Sequence, residues 1–547
     1  MSGSSLRVQL PGGGFVPLAE ASGNVAERLS RAGHPLNTRC GQRGLCAGCT
    51  VHLSEGSVRL ASGVTVVAPA EIKACQAFVP PGGSAAVAVP PRSLAAHLPQ
   101  VVTVFKTKVS AAHQPLPPLL PGVRDHGLAI DIGTTTVVVA LVDLTTGQIV
   151  REAADFNRQI DLGDNVLTRI QVAGQPAKLE ELRLAIIERT IVPLTRAVCA
   201  AAGLDPARLA GATIAGNTTM LHLLTGTDPT SLGIAPFRAV FTEHRVMTAA
   251  EMGYSAAPPG MPVHLLPGFS AYVGADLVAG CVCTAMSFDQ SPSLLVDIGT
   301  NGEILLQHGS KIFGAATAAG PAFEGGRLSR GTRAAAGAVS HVKFSGGAFP
   351  PTIEIIGGAG PIHGLCGTAY VDFLAEGRRI GLLGPQGRLV EAIWRTLPAE
   401  HRHDDCSGRG VFLRPNDPAT LVTESDVAHL MQAKAAIAAG ILLLLRHVGL
   451  QPADVGRLYL AGGFGLHLDP ANTIASGLLP GFKPEQLEVV GNTALGGAWL
   501  ALVDSSLLDE MIAVSATAEI IELNLEPGFE DTFIDQLELP QSRHLRN

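Results

Sequence analysis

The passage "GLAIDIGTTTVVVALVDLTTG", residues 127–147, runs from an apolar strand through a Gly/Thr turn into a second apolar strand and out through another turn. A similar passage, "LLVDIGTNGEILLQHG", occupies residues 294–309. Aligning Asp131 with Asp297 matches Asp-Ile-Gly-Thr in both and leaves strands on either side. A fold made of two related halves would set these turns on opposite walls of one cleft. The strand-turn-strand context excludes a Walker-type P-loop, which must open into a helix.

Each turn has the chemistry of a phosphate site. Glycine (Gly133, Gly299) lets backbone N–H groups point at a phosphate, and the hydroxyls of Thr134, Thr135, Thr136 and Thr300 can donate to its oxygens. Asp131 and Asp297 supply hard oxygens for Mg2+, usually through water because that ion dehydrates reluctantly. A third Gly-rich segment, "LYLAGGFGLHLDP" at 458–470, follows an apolar strand, and its Gly462, Gly463 and Gly465 would let backbone lie flat against a purine. Alone, each is a common structural turn. Three in this order, about 160 residues apart, point to a nucleotide.

Four cysteines near the N-terminus, Cys40, Cys46, Cys49 and Cys75, are spaced C-x5-C-x2-C with the fourth 25 intervening residues later. A Gly-rich loop bearing three thiolates plus a distant fourth suits a [2Fe-2S] cluster. Gly41, Gly44 and Gly48 give such a loop its dihedral freedom. Zinc or two disulfides are the competing uses, but zinc sites usually pair ligands as C-x2-4-C twice, and here only Cys46 and Cys49 form such a pair.

The 547 residues are 46% hydrophobic, 16% charged and only 4% aromatic, a composition for a large core of small side chains in an α/β fold. Net charge is -8, yet residues 1–92 carry eight Lys/Arg and four Asp/Glu, so that segment is +4 and the remainder -12. Arg31, Arg39 and Arg43 crowd the cysteine loop, where they either steer an acidic redox partner or offset thiolate charge. No Lys/Arg tract suggests nucleic acid. No apolar run reaches about 18 residues, so no membrane span is expected, and "AAIAAGILLLL" at 435–445 reads as a buried helix. With no signal peptide apparent, the other cysteines are expected to be reduced in the cytoplasm, Cys281 and Cys283 as core residues.

The expected organisation is a small domain at 1–90, with a hairpin around "PGGG" and a helix starting near Asn24; a proline-rich, semi-rigid linker at 91–126; a two-lobed ATPase domain at 127–530, its halves roughly 127–290 and 291–530; and a tail at 531–547. The fold class is therefore α/β multidomain.

The order "DIGTTT", "DIGTNGE", "AGGFG" resembles the two phosphate motifs and the adenosine motif of the superfamily of acetate and sugar kinases, heat-shock chaperones and actin. With the cysteine loop in front, the chain resembles the reductive activators of corrinoid proteins that carry an N-terminal [2Fe-2S] domain. The stretches "NRQIDLGDNVLTRI" (157–170), "AGNTTMLHLLTG" (215–226), "GPAFEGG" (320–326) and "DVAHLMQAKAAIAAGILLLL" (426–445) extend the resemblance over nearly the whole chain. It implies a β-grasp ferredoxin-like domain followed by an actin-like, duplicated ribonuclease H-like ATPase. It also implies ATP-dependent reduction of a corrinoid partner from Co(II) to Co(I), with an electron taken from a low-potential donor. Residue by residue, it implies Cys40, Cys46, Cys49 and Cys75 on the cluster; Asp131, Gly133, Thr134 and Thr135 in the first phosphate turn; Asp297, Gly299, Thr300 and Asn301 in the second; and Gly462 and Gly463 at adenosine. Glu303 and Glu324 are candidates for ordering the attacking water, against a helix cap or a core hydrogen bond. His222 reads as a satisfied core histidine. Only about 35 residues separate the cysteine domain from the first phosphate turn, so the additional middle domain of some longer members is expected to be absent or reduced. A plain ferredoxin-type subunit, a small-molecule kinase, or an ATP-coupled activator of another redox enzyme are the alternatives, and a homodimer stays open.

Overall fold

The computed structural model describes residues 4–540 apart from 12, 19–21, 37, 39–41, 43, 45–47, 91–92, 95–101, 121, 164, 300–301, 327, 348, 359 and 406–407. Cys40, Cys46, Thr300 and Asn301 lie outside the described residues. The chain divides into two compact units, one of residues 1–100, 324–370 and 391–429, the other of 101–323, 371–390 and 430–547.

In the first unit the strands β1 (Ser5–Gln9) and β2 (Phe15–Leu18) form the expected hairpin, and α1 (Val25–Arg31) starts on a capping box between Asn24 and Glu27. Strands β3 (Thr50–Leu60), β4 (Thr65–Val67), β5 (Ala70–Lys73), β6 (Ala77–Phe78) and β7 (Ser84–Ala88) complete a seven-stranded sheet in which β7 lies between β1 and β3, parallel to β1. Alternation along β1 turns Leu6 and Val8 inward to meet Leu29, Val51, Leu53 and Val87. Two three-stranded sheets from 338–365 and 402–423 complete this unit.

The second unit holds two six-stranded sheets built on one plan. In the first, β8 (His126–Ile132), β9 (Thr136–Asp143) and β10 (Gln148–Phe156) form an antiparallel meander. The helices α2 (Val166–Ala173), α3 (Pro176–Ile186) and α4 (Val192–Ala202) then lead to β11 (Leu209–Gly216), which returns parallel to β8. After α5 (Thr218–Thr225), β12 (Arg245–Thr248), α6 (Ala249–Met252) and β13 (Pro262–Leu265), the chain enters α7 (Ala275–Cys283). The second sheet repeats this: β14 (Ser293–Ile298), β15 (Gly302–His308) and β16 (Lys311–Thr317) form the meander, and the strand Arg457–Ala461 comes back parallel to β14. The strand Leu487–Gly491 pairs beyond it and leads into the helix Thr493–Val503. Strands β8 and β9 are buried along nearly their whole length, hence their unbroken Val/Ile/Leu runs.

The pseudo-equivalent helices α7 and Thr493–Val503 cross at small residues. A Cβ on Gly497 would lie 2.4–2.5 Å from Ala279 atoms, and one on Gly280 would lie 2.9 Å from Thr493 Oγ1. The proline-rich segment that follows residue 101 is no free connector. It runs extended along this unit, with Lys106 N–H donating to Val490 O (2.9 Å), Lys108 N–H to Cys283 O (3.0 Å) and Leu116 N–H to Leu502 O (3.0 Å). The helix Glu424–His447 has 24 residues and is long and apolar enough to cross a membrane by length and composition, while 78% of its apolar window is buried inside the protein.

Candidate functional site

Duplication brings the two Asp-Ile-Gly-Thr turns to equivalent strand ends in one unit. Asp131 stands opposite Ala215 of the returning strand β11, and Asp297 opposite Ala461. Gly462, at φ +84°, follows so closely that a Cβ there would sit 2.5 Å from Asp297 Oδ1, so glycine is required for both the dihedral and the space. The "AGGFG" segment does not lie flat as read from sequence: it turns at once into a single helical turn, Gly462–Gly465. Glu303 is buried and pairs directly across from Asp297 in the β14–β15 ladder, so the two carboxylates share one face of the sheet. Glu324 closes the short turn Pro321–Glu324 and belongs to the other unit.

The first Asp-Ile-Gly-Thr turn is held by the stretch 157–170. Asn157 Nδ2 donates to Gly133 O (3.0 Å). Arg169, fully buried on α2, donates to Thr134 O (2.6 Å), Gly163 O (2.8 Å) and Gln159 Oε1 (3.0 Å). Asn217, the N-cap of α5, donates to Thr134 Oγ1 (3.0 Å). Gly133 spends its own N–H on Thr136 O (2.9 Å), so that group closes the turn instead of facing a phosphate. The Thr134 and Thr135 amides, without a protein partner among the described residues, are the donors the turn can offer.

Two further residues reach this site from helix starts, and no sequence motif marked them. Asn492, capping Thr493–Val503, donates through Nδ2 to Asp131 Oδ2 (2.8 Å). Asp276, in the first turn of α7, is pushed up to about 7 by burial and by the negative charges of Asp297 and Asp131. Burial raises Asp131 to about 6, with the Asn492 hydrogen bond acting the other way. Each half thus lends a helix start to the other half's aspartate. Among the described residues no three His, Cys, Asp or Glu side chains are close enough to hold a metal ion directly.

In the first unit, Cys49 and Cys75 are both buried at the same end of the β3–β5 pair, where Ala74 N–H donates to Cys49 O (3.1 Å). Lys73 Nζ donates to Gly44 O and Gln76 Nε2 to Gln42 O (2.5 Å each), stitching the cysteine loop to the residues around Cys75. The Gln76 amide also lies 3.7 Å from Cys75 Sγ. His222 is a core histidine: Nδ1 donates to Thr218 O (2.7 Å), Nε2 accepts from Val240 N–H (3.1 Å), and the ring stacks on Phe241 at 4.4 Å. Burial holds its pKa below the ordinary value. Cys281 and Cys283 are likewise core residues, each pushed up to about 12 by burial.

A family model described as the C-terminal domain of RACo, the ASKHA domain, matches residues 291–546, and one described as the RACo middle region matches 126–289. The corrinoid activation enzyme RamQ of Eubacterium limosum is 32% identical over 418 residues, covering 75% of this chain and 69% of that protein. This chain belongs to the family of corrinoid-protein reductive activators. Another relative, the Co(II) methylated amine-specific corrinoid protein reductase of Methanosarcina barkeri, is 25% identical over 446 residues, covering 75% of this chain and 76% of that protein. A solved reductive activator for a corrinoid, iron-sulfur protein matches over 98% of both chains at 27% identity, with a TM-score of 0.71. The middle-region match covers 126–289, the part expected from sequence to form the first half of the two-lobed domain.

Proposed function

We propose that this activator takes one electron from a low-potential donor and delivers it to a corrinoid protein, converting inactive Co(II) to Co(I), at the expense of ATP bound between the two Asp-Ile-Gly-Thr turns. The observation that supports this most is the meeting of Asp131, Asp276 and Asp297 within a duplicated sheet pair, in a chain that aligns end to end with a solved reductive activator.

The chain's own residues suggest the steps. The Thr134 and Thr135 amides and the second turn, including Thr300 and Asn301, hold phosphates, and Gly462 and Gly463 are assigned to adenosine on the family resemblance. Asp131 and Asp297 would hold Mg2+, which would supply charge neutralisation for the phosphates. Asp276, with a pKa near neutrality, takes the proton as water attacks the terminal phosphorus and the bond to the bridging oxygen breaks, with ADP leaving. In the N-terminal domain, Cys49 and Cys75, with Cys40 and Cys46, would hold a [2Fe-2S] cluster. The Gln76 amide beside Cys75 Sγ fits such a site, since N–H groups near ligating sulfurs tune it. When bound, the cluster supplies a one-electron carrier. Reduction to Co(I) is uphill from an ordinary ferredoxin potential, each ~59 mV of deficit costing tenfold in equilibrium, so hydrolysis has to favour the Co(I) form of the complex. The buried thiols Cys199, Cys281, Cys283 and Cys366 suit a reducing compartment, and we place the protein in the cytoplasm.

The test is anaerobic spectroscopy of a corrinoid protein in its Co(II) form with this protein, a low-potential reductant, and Mg-ATP present or absent. Co(I) absorption should appear only with ATP and vanish in Cys46→Ser. ATP hydrolysis without Co(I) from any corrinoid partner would refute the reading.

A further inference from the structure

The side-chain amide of Asn492 has two hydrogens and two acceptors. It donates to Asp131 Oδ2 at 2.8 Å and to the carbonyl of Val102 at 3.3 Å. Val102 opens the extended strap that continues the chain from the N-terminal domain. The strap is fastened where Asn492 sits: Asn492 N–H donates to Val104 O (3.0 Å), Lys106 N–H donates to Val490 O (2.9 Å), and Phe105 bridges Gly491. Gly491 is shaped for this contact, with φ +76° and a position at which any Cβ would lie 2.2 Å from Val104 O. Further on, the Phe105 ring meets Trp499 at 5.7 Å, and the Val102 side chain comes within 3.7 Å of where a Cβ on Gly463 would stand. One residue therefore touches the catalytic aspartate of the first turn and the chain leading to the electron-transfer domain.

We infer that Asn492 is a positioning residue that couples nucleotide occupancy at Asp131 to the docking of the 102–108 strap. The inference rests on the ATP site described above. Were Asp131 drawn toward a bound cation, the Asn492 amide would be free to turn fully to the Val102 carbonyl, and the strap would tighten. With the Asp131 carboxylate drawing one N–H to 2.8 Å, the other reaches Val102 O only at 3.3 Å, so the amide's orientation, and with it the hold on the strap, follows what Asp131 binds. The electron-transfer domain is thereby tethered by a segment whose freedom follows the nucleotide.

Hydrogen exchange of the full chain, with Mg-ATP binding followed separately by calorimetry, tests this. In wild type the Lys106 and Asn492 amides should exchange at least tenfold more slowly with Mg-ATP bound. In Trp394→Phe, where Trp499 is the remaining tryptophan of the two, its emission should shift on adding Mg-ATP. Asn492 also caps its helix, its Oδ1 accepting from Leu495 N–H at 2.9 Å. The informative variant is therefore Asn492→Ser, which keeps a capping oxygen and loses the amide donor. At Mg-ATP concentrations that calorimetry shows to saturate the variant, whatever its affinity, the strap's exchange should stay within twofold of its nucleotide-free value. Bound Mg-ATP with no slowing in wild type, faster exchange, or an Asn492→Ser strap that responds like wild type would each overturn the coupling while leaving the ATP site standing. Absence of any Mg-ATP binding would refute the ATP site and the coupling together.

Discussion

Buried charge at single residues sets what this site costs and what it can do. Asp131 and Asp276 hold protons in the folded state up to about 6 and about 7, well above an unfolded aspartate. The folded protein therefore binds more protons than the unfolded chain between pH about 4 and 7, and these two groups make the nucleotide-free protein less stable as pH rises through that window. Asp276→Asn should accordingly raise the melting temperature of the nucleotide-free protein at pH 8, with about 1.4 kcal/mol of stability gained for each pKa unit relieved. The same change should abolish ATP hydrolysis, and paired thermal melts at pH 5 and 8 with a phosphate-release assay check both effects. The proposed Mg2+ site needs the Asp131 carboxylate charged, so Mg-ATP should bind more weakly at pH 5.5 than at pH 8 and release protons near pH 6, measurable by calorimetry in two buffers. Arg169 acts one step back. Arg169→Met strips donors from the Thr134 and Gly163 carbonyls, and should cost about 2–4 kcal/mol in denaturant unfolding and most of the nucleotide affinity.

At the level of elements, the crossing of α7 with Thr493–Val503 joins the halves through glycine. Gly497 is helical and carries an ordinary dihedral, so Gly497→Ala should gain up to about 1 kcal/mol of helix propensity. It instead drives a methyl into the Ala279 backbone, and we expect net destabilisation of about 1–3 kcal/mol in urea unfolding, with weaker ATP binding as the helix starts carrying Asp276 and Asn492 move apart. The strand-turn-strand repeats were legible because a periodic apolar run broken by Asp-Ile-Gly-Thr is a local signal twice over. Asp276 and Asn492 were not legible: each is an ordinary residue at a helix start, and only the crossing of two helices 217 residues apart in sequence, measured between Asp276 and Thr493, brings them to the aspartates. Arg169 and Asn157 stood in a stretch that resembled the activators, yet nothing in it said which turn they would hold. The strap was misread for a related reason. Its prolines do favour extension, but its amides between them find carbonyl partners on the second unit that no local pattern announces.

For the whole molecule, the proposed work divides between two chemistries that different residues carry. Cys49 and Cys75 belong to the first unit and the Asp131, Asp276, Asp297 group to the second. If the two are coupled but separately built, their variants should fail in complementary ways. Cys75→Ser should lose the visible absorption and reduced-state paramagnetic signal of an iron-sulfur centre while hydrolysing ATP at a rate within about threefold of wild type, since nothing in the phosphate turns depends on the thiol. Asp297→Asn should keep those spectra and lose hydrolysis by about 100-fold or more, as expected when a group that places the metal and water is removed. Neither should produce Co(I) alone. A mixture of the two distinguishes the remaining possibilities. If Co(I) forms, electron delivery and ATP use can act from separate chains on one corrinoid partner, whereas no Co(I) means that both must act within one chain, as the proposed coupling through the strap requires.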